Sequence, residues 1–254
     1  MKRSVYTQAL RDQRRSLLIW AIALAGVAFI YIPSYQTYRD QGILDMKGNA
    51  MFDAIGVGDL ASPVGYLNSA VFALMGPLLM IIFAVSAGAR TAGQEESGVL
   101  DLLLAQPIGR VSLLLQRFAA LATATALLTG AFLLALVGAA AAGDMDVPAA
   151  DIAAATVGLG LLALLFGALT LLIGAASGRR AIAIAGSAVL AVLSYFANTL
   201  GADWLRHLSP FYHFNGQTPL ANGWQWSGLA VLAGLTALAI TAGAWRFGRR
   251  DLAV

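Results

Sequence analysis

The sequence predicts an all-α integral membrane protein with six transmembrane helices, and three observations carry that prediction. Hydrophobic residues make up 59% of the 254 and charged residues 11%, with a mean hydropathy of +0.75; a soluble chain is roughly a quarter charged. The few charges are grouped, which leaves uncharged runs at Ser16–Tyr38, Leu60–Ala89, Phe118–Gly143, Ile152–Gly178, Ala181–Ala202 and Phe214–Trp245. Each is longer than the roughly 20 residues that cross a hydrocarbon core, whereas barrel strands would be about 10 residues long with polar residues alternating inward. Finally, the basic residues alternate by connection: 13 lie at the N-terminus, the second and fourth loops and the C-terminus, and only Arg39, Lys47 and Arg206 lie between. Positive residues mark the cytoplasmic side, so both termini are expected inside, in a multi-pass protein of the cytoplasmic (inner) membrane.

In chain order, Val5, Tyr6, Ala9 and Leu10 fall on one side at helical spacing, with Arg11, Arg14 and Arg15 on the flank. This predicts an amphipathic helix along the inner membrane surface, ahead of a first span at about 17–38. Ala23-Leu24-Ala25 resembles a signal cleavage site, but it would leave an apolar region of only about nine residues, so the span is expected to be retained. The first loop, 39–59, holds four Asp and several Gly and reads as a flexible outer connection. The second span is expected at about 66–89.

The segment RTAGQEESGVLDLLLAQPIGR, residues 90–110, follows on the inner side. Thr91-Ala92-Gly93-Gln94 has the form of a capping box, so a helix is expected to start there. Glu95 and Glu96 would then lie in its first turn, where carboxylates favour the positive end of the dipole. Leu100, Leu102, Leu103 and Leu104 form an apolar run too short to span, and Pro107 with Gly109 ends it. A membrane-surface helix would carry Lys or Arg on its polar face; this one carries Glu95, Glu96 and Asp101, which favours a protein partner.

The third and fourth spans are expected at about 118–142 and 152–176. Gly160, Gly167 and Gly174 recur every seven residues on the fourth, nearly one face, which permits close helix approach. The fifth span, about 181–201, carries Ser194, Asn198 and Thr199 near its outer end, where they either line a cavity or satisfy packing. Between it and the sixth span, about 227–247, the stretch from Ala202 to Trp226 combines Ser209-Pro210 and Thr218-Pro219 with Trp204, Leu205, Leu208, Phe211, Tyr212 and Phe214. It is interrupted by proline yet too apolar for a free loop, which predicts a re-entrant outer segment covered by protein. Its aromatics, Phe211 and Tyr212 among them, suit either an interfacial belt or substrate contact.

EESGVLDLLLAQPIGR resembles the coupling-helix segment of ABC-2 type transporter permeases, in which a Glu, a Gly, an acidic residue among leucines, a Pro and an Arg recur in that order. Here these are Glu95, Glu96, Gly98, Leu100, Asp101, Leu103, Pro107 and Arg110. Val99, Asp101 and Gly109 stand where many members have Thr, Glu and Ser. The resemblance extends to the basic N-terminal stretch, the six spans, LSPFYHFNGQTPLANG and the ending RFGRRDL. It implies one ABC-2 type transmembrane domain over 1–254, with a cytoplasmic coupling helix between spans two and three docked on an ABC ATPase, two copies of which bind ATP and Mg. It also implies a second permease subunit, as homodimer or heterodimer, and no internal repeat in this chain supplies that second half.

The chain itself has no Lys-Ser or Lys-Thr after a Gly-rich turn, its only lysines being Lys2 and Lys47, so a P-loop is absent and no cofactor, metal or catalytic group is expected in it. Zero cysteines exclude disulfides and thiolate sites. His207 and His213, six residues apart, fit no helical face and read as interfacial structural residues. Partners are the bilayer and other subunits, not nucleic acid. An ion-coupled carrier is weakened because no run holds an ionisable residue at mid-depth, and an intramembrane hydrolase because no serine has a basic partner; both remain the alternatives to an exporter subunit.

Overall fold

The computed structural model describes residues 5–41, 60, 62–97 and 109–249, which are mostly helical and contain no strand. Six stretches are long and apolar enough to cross a membrane. The first is α1 (Val5–Tyr31) followed by α2 (Ser34–Asp40). Helix α1 is continuous for 27 residues, which corrects the expectation of a separate surface helix over 5–15. The physical reason is that nothing between Val5 and Gly26 can break a helix. Val5, Ala9 and Gln13, one turn apart, are buried instead, and Tyr6 Oη pairs with Thr123 Oγ1 at 3.1 Å. Pro33, which lacks an N–H, ends the helix, and Ser34 Oγ bonds Ile30 O across the break at 2.7 Å.

The second span is interrupted. It starts with α3 (Pro63–Leu67), whose cap Ser62 accepts the Gly65 N–H at 3.0 Å, and continues as a π turn, Asn68–Phe72. The chain breaks at Leu74 (φ −139°, ψ −56°) before α4 (Met75–Gly88). Pro77 cannot donate to Ala73, so the ladder has to open there. After the turn at Ala89 comes α5 (Arg90–Glu96). The third span, α6 (Arg110–Ala142), has 33 residues, about 50 Å, so its first two turns extend beyond the predicted start at 118.

Helix α7 (Ala149–Ser177) is the axle of the bundle: α4, α6, α8 (Arg180–Leu200) and the last helix, α12 (Trp226–Arg249), all pack on it, while α1 packs on α6. The glycine face of α7 makes this possible. A Cβ at Gly167 would stand 2.9 Å from Leu121 and 3.2 Å from Ala84 O, one at Gly174 would stand 3.2 Å from Ala92, and Gly160 abuts Thr129. Gly88 on α4 faces the same crossing, 2.6 Å from Gly167 O by the same measure. Gly178 (φ +68°) ends α7 and lets α8 start two residues later. Buried hydroxyls of Thr170 and Ser187 then join α7 to α8 at 2.8 Å.

Between α8 and α12 lie α9 (Asp203–Leu208), α10 (Pro210–Asn215) and α11 (Pro219–Asn222). Each proline of the predicted outer segment opens a short helix, where a missing N–H costs nothing, and does not merely interrupt one. The chain runs along α7: Gly223 lies against Asp151 and Phe214 against Gly158, with Phe211 against Phe166 at 6.0 Å between ring centroids. Asp151 and Phe166 are separated by about 22 Å of helical rise. Phe211, Phe214 and Leu220 are buried in the main core.

Val5, Leu113, Leu114 and Phe247 share one cluster, so α1 begins and α12 ends at the same end of the bundle. Arg90, Arg110, Arg117, Arg179, Arg180, Arg246 and Arg249 sit on helix ends that face this way.

Candidate functional site

Two regions carry the candidate residues, one at each end. At the basic end, α5 sits in a notch. Thr91 and Ala92 are buried, Ala92 against Gly174, while Gly93 leaves room for the Arg180 side chain. Thr91 does not cap a helix start: the Gly93 N–H already bonds Ala89 O at 3.1 Å, so the amides that a cap would serve are occupied by the turn carried over from α4. Gln94, the other half of the expected capping box, accepts the Arg117 guanidinium of α6 through Oε1. Glu96 Oε1 accepts the backbone N–H of Arg180 at 3.0 Å.

That last bond has a clear cause. Helix α8 starts with two arginines, has no acidic residue in its first turn and no side-chain cap of its own, although a helix N-terminus favours negative charge. Glu96 supplies it from 84 positions earlier. Beneath α5, Gln13, Arg90, Thr91 and Arg117 surround a small polar space, with Asp12 the counter-charge that acts on both arginines. Gln13 is 4% exposed, and its Oε1 has no bonding partner among the described residues. Sequence reading missed Gln13, Arg117 and Arg180 as parts of this junction; the acid-free start of α8 was the one available signal.

Of the predicted coupling residues, Glu95, Glu96 and Arg110 are on described helices, whereas Gly98, Leu100, Asp101, Leu103 and Pro107 lie outside the described residues. The junction ties α5 to α6 and α8 at once. Removing the cap with Glu96→Ala is expected to cost about 1 kcal/mol and to lower the melting temperature in detergent by about 2–4 °C. Glu96→Gln keeps an acceptor oxygen and should lose less; equal losses would assign the effect to charge and not to the cap.

At the other end, an apolar cleft of about 340 Å³ opens between the break in the second span and α8. Leu74 and Pro77 form one wall, Val192 and Tyr195 the other, and Phe211 belongs to its lining. Phe211 is the one predicted pathway residue that lines this cleft. Tyr212 lies tilted against His207, with ring centroids 4.4 Å apart. Thr199 Oγ1 bonds Tyr195 O at 3.0 Å, and Ser194 takes part through its carbonyl, which accepts Ser209 Oγ at 2.7 Å. These two therefore serve packing, while the buried Asn198 Oδ1 has no partner among the described residues. His207 and His213 each rest a ring nitrogen on a backbone carbonyl, at 2.6 and 3.0 Å.

The reading of the outer segment missed a polar link: Asn215 Nδ2 donates to Asn68 Oδ1 at 2.9 Å, fastening α10 to the π turn. Compared with known proteins, residues 3–248 match a family described as the multidrug efflux system permease Rv1217c, C-terminal domain. No curated protein matches the chain.

Proposed function

Because the chain belongs to the family of the C-terminal domain of the multidrug efflux system permease Rv1217c, and is thus a multi-pass membrane transport permease, we propose that it is the membrane subunit of an ATP-driven exporter of the ABC-2 type. The observation that carries this reading is the double fastening of α5, to Arg117 on one side and Arg180 on the other. Residues 91–106, with the motif resembling a coupling helix, are the docking element for a separate cytoplasmic ATPase. Two ATPase copies hold ATP and Mg, and a second permease subunit completes the pathway. Movement of the docked segment reaches α6 and α8 directly. Through Ser194–Ser209 and Tyr195–Phe211 it reaches the outer segment, which closes the outer end of the pathway by dipping beside α7 to the level of Phe166.

The basic end faces the cytoplasm in this reading, in line with the positive-inside rule. A cysteine at Ala149, the exposed first residue of α7, and another at Asn49 should react with an impermeant thiol reagent in intact cells. Protection of both until lysis would reverse the orientation. The deciding experiment energises everted vesicles containing the permease and its ATPase. ATP should drive accumulation of a fluorescent drug whether or not a protonophore is present. Accumulation driven by a proton gradient without ATP would establish the ion-coupled carrier instead.

A further inference from the structure

Above the cleft, on the side opposite the basic end, a second cavity of about 580 Å³ lies among α3, α7 and α11. Ser62, Asn68, Thr218 and Leu220 are in its lining, and Asp151 is the one charged residue there. The Asp151 carboxylate is half-buried and neither hydrogen-bonded nor ion-paired among the described residues. Gly223 (φ +71°) passes beside it, where a Cβ would stand 3.4 Å from Oδ1, so the backbone leaves the carboxylate uncovered. Thr218 holds a left-handed conformation (φ +46°) at the rim, a strained geometry for a β-branched residue.

We propose that this cavity binds the cationic head of an organic monocation, with Asp151 as its counter-ion. The inference rests on the exporter reading for its purpose and on the cavity for its chemistry. An unpaired, half-buried carboxylate attracts a cation more strongly than one fully surrounded by water. The other described charges on this side lean the same way: Asp40, Asp144, Asp146 and Asp203 outnumber Arg39 and Arg206. A metal ion needs more donors, and no group of three or more His, Asp or Glu forms a metal site among the described residues. The volume suits a bulky, weakly hydrated ion with apolar substituents, which Leu220 and the neighbouring Val64 can cover. In transport, the site receives cationic cargo on the outer side of the Asn68–Asn215 link and releases it outward.

The test uses the purified full chain in detergent and tetraphenylphosphonium as the probe, with Nile red as a neutral control. Asp151→Asn, close in shape to the native side chain, should weaken tetraphenylphosphonium binding about tenfold, equivalent to about 1.4 kcal/mol. Asp151→Glu should retain most of the affinity, and Nile red binding should not change in either variant. Unchanged tetraphenylphosphonium affinity in Asp151→Asn would overturn the proposal. So would a parallel loss of both probes, which would make Asp151 a purely structural partner of the α7 N-terminus. The measurement needs neither ATPase nor nucleotide, so its outcome is separate from that of the vesicle experiment.

Discussion

Gly88→Val should leave little correctly folded permease. At the crossing of α4 and α7 a Cβ at position 88 would stand 2.6 Å from Gly167 O and 3.1 Å from the Thr170 Cβ. The first obstacle is backbone and cannot rotate aside, so the helices must separate. Separation is resisted from behind, because α7 also packs on α6, α8 and α12, and Gly167 is itself closed in by Leu121. Overpacking of a tight core typically costs about 1–3 kcal/mol, a large part of a marginal stability of about 5–15 kcal/mol. Valine adds two further methyl groups to the same space. Size-exclusion profiles and melting temperatures in detergent provide the readout, with Gly26→Val as the control, since nothing lies within 4 Å of a Cβ at Gly26. A Gly88→Val protein as monodisperse and heat-stable as wild type would contradict the close crossing.

If residues 91–106 dock a separate ATPase as proposed, Leu103→Asp should abolish that assembly while the permease still inserts and folds. Leu103 falls among Val99, Leu100, Leu102 and Leu104 in the sequence, six residues after Ser97, whose N–H bonds Gly93 O at 3.2 Å. Leu103 lies outside the six uncharged runs that predict the spans, so expression and melting temperature should stay near wild type. In the docked complex an aspartate would be placed in an apolar contact, and an unpaired buried charge costs several kcal/mol, enough to lower affinity by orders of magnitude. A pull-down of the ATPase beside a drug-stimulated hydrolysis assay reads both consequences. Normal binding by Leu103→Asp would show that this segment is not the docking element.

The six spans were legible because the uncharged runs state them directly; the observed helices Arg110–Ala142, Ala149–Ser177, Arg180–Leu200 and Trp226–Arg249 enclose most of each predicted stretch. The glycine face of α7 was equally legible, since a spacing of seven on a helix fixes its direction without knowledge of the neighbour. Gly88 was not: a lone glycine carries no period, and its role appears only when Gly167 is brought opposite. Local rules failed where the chain continued through an expected boundary. Thr91 fits a cap, but the helix before it had not ended, and Val5–Arg15 fits a surface helix, but no breaker separates it from the span that follows. Glu96 shows the remaining limit, because its partner at Arg180 is distant in sequence and the need it meets belongs to another helix.

The two-residue connection at Gly178 has a kinematic consequence. Helix α8 has 21 residues, about 30 Å of axis, and it is hinged at one end by Gly178–Arg179 and gripped there by Glu96. A rigid rod of that length tilted by about 10° about its base carries its far end about 5 Å, close to the diameter of a side chain. The far end bears Tyr195 and Ser194, which hold Phe211 and Ser209. In the proposed exporter an adjustment beside Arg180 would be carried to that end by the stiffness of one hydrogen-bonded cylinder, with the Thr170–Ser187 bond to α7 as the pivot.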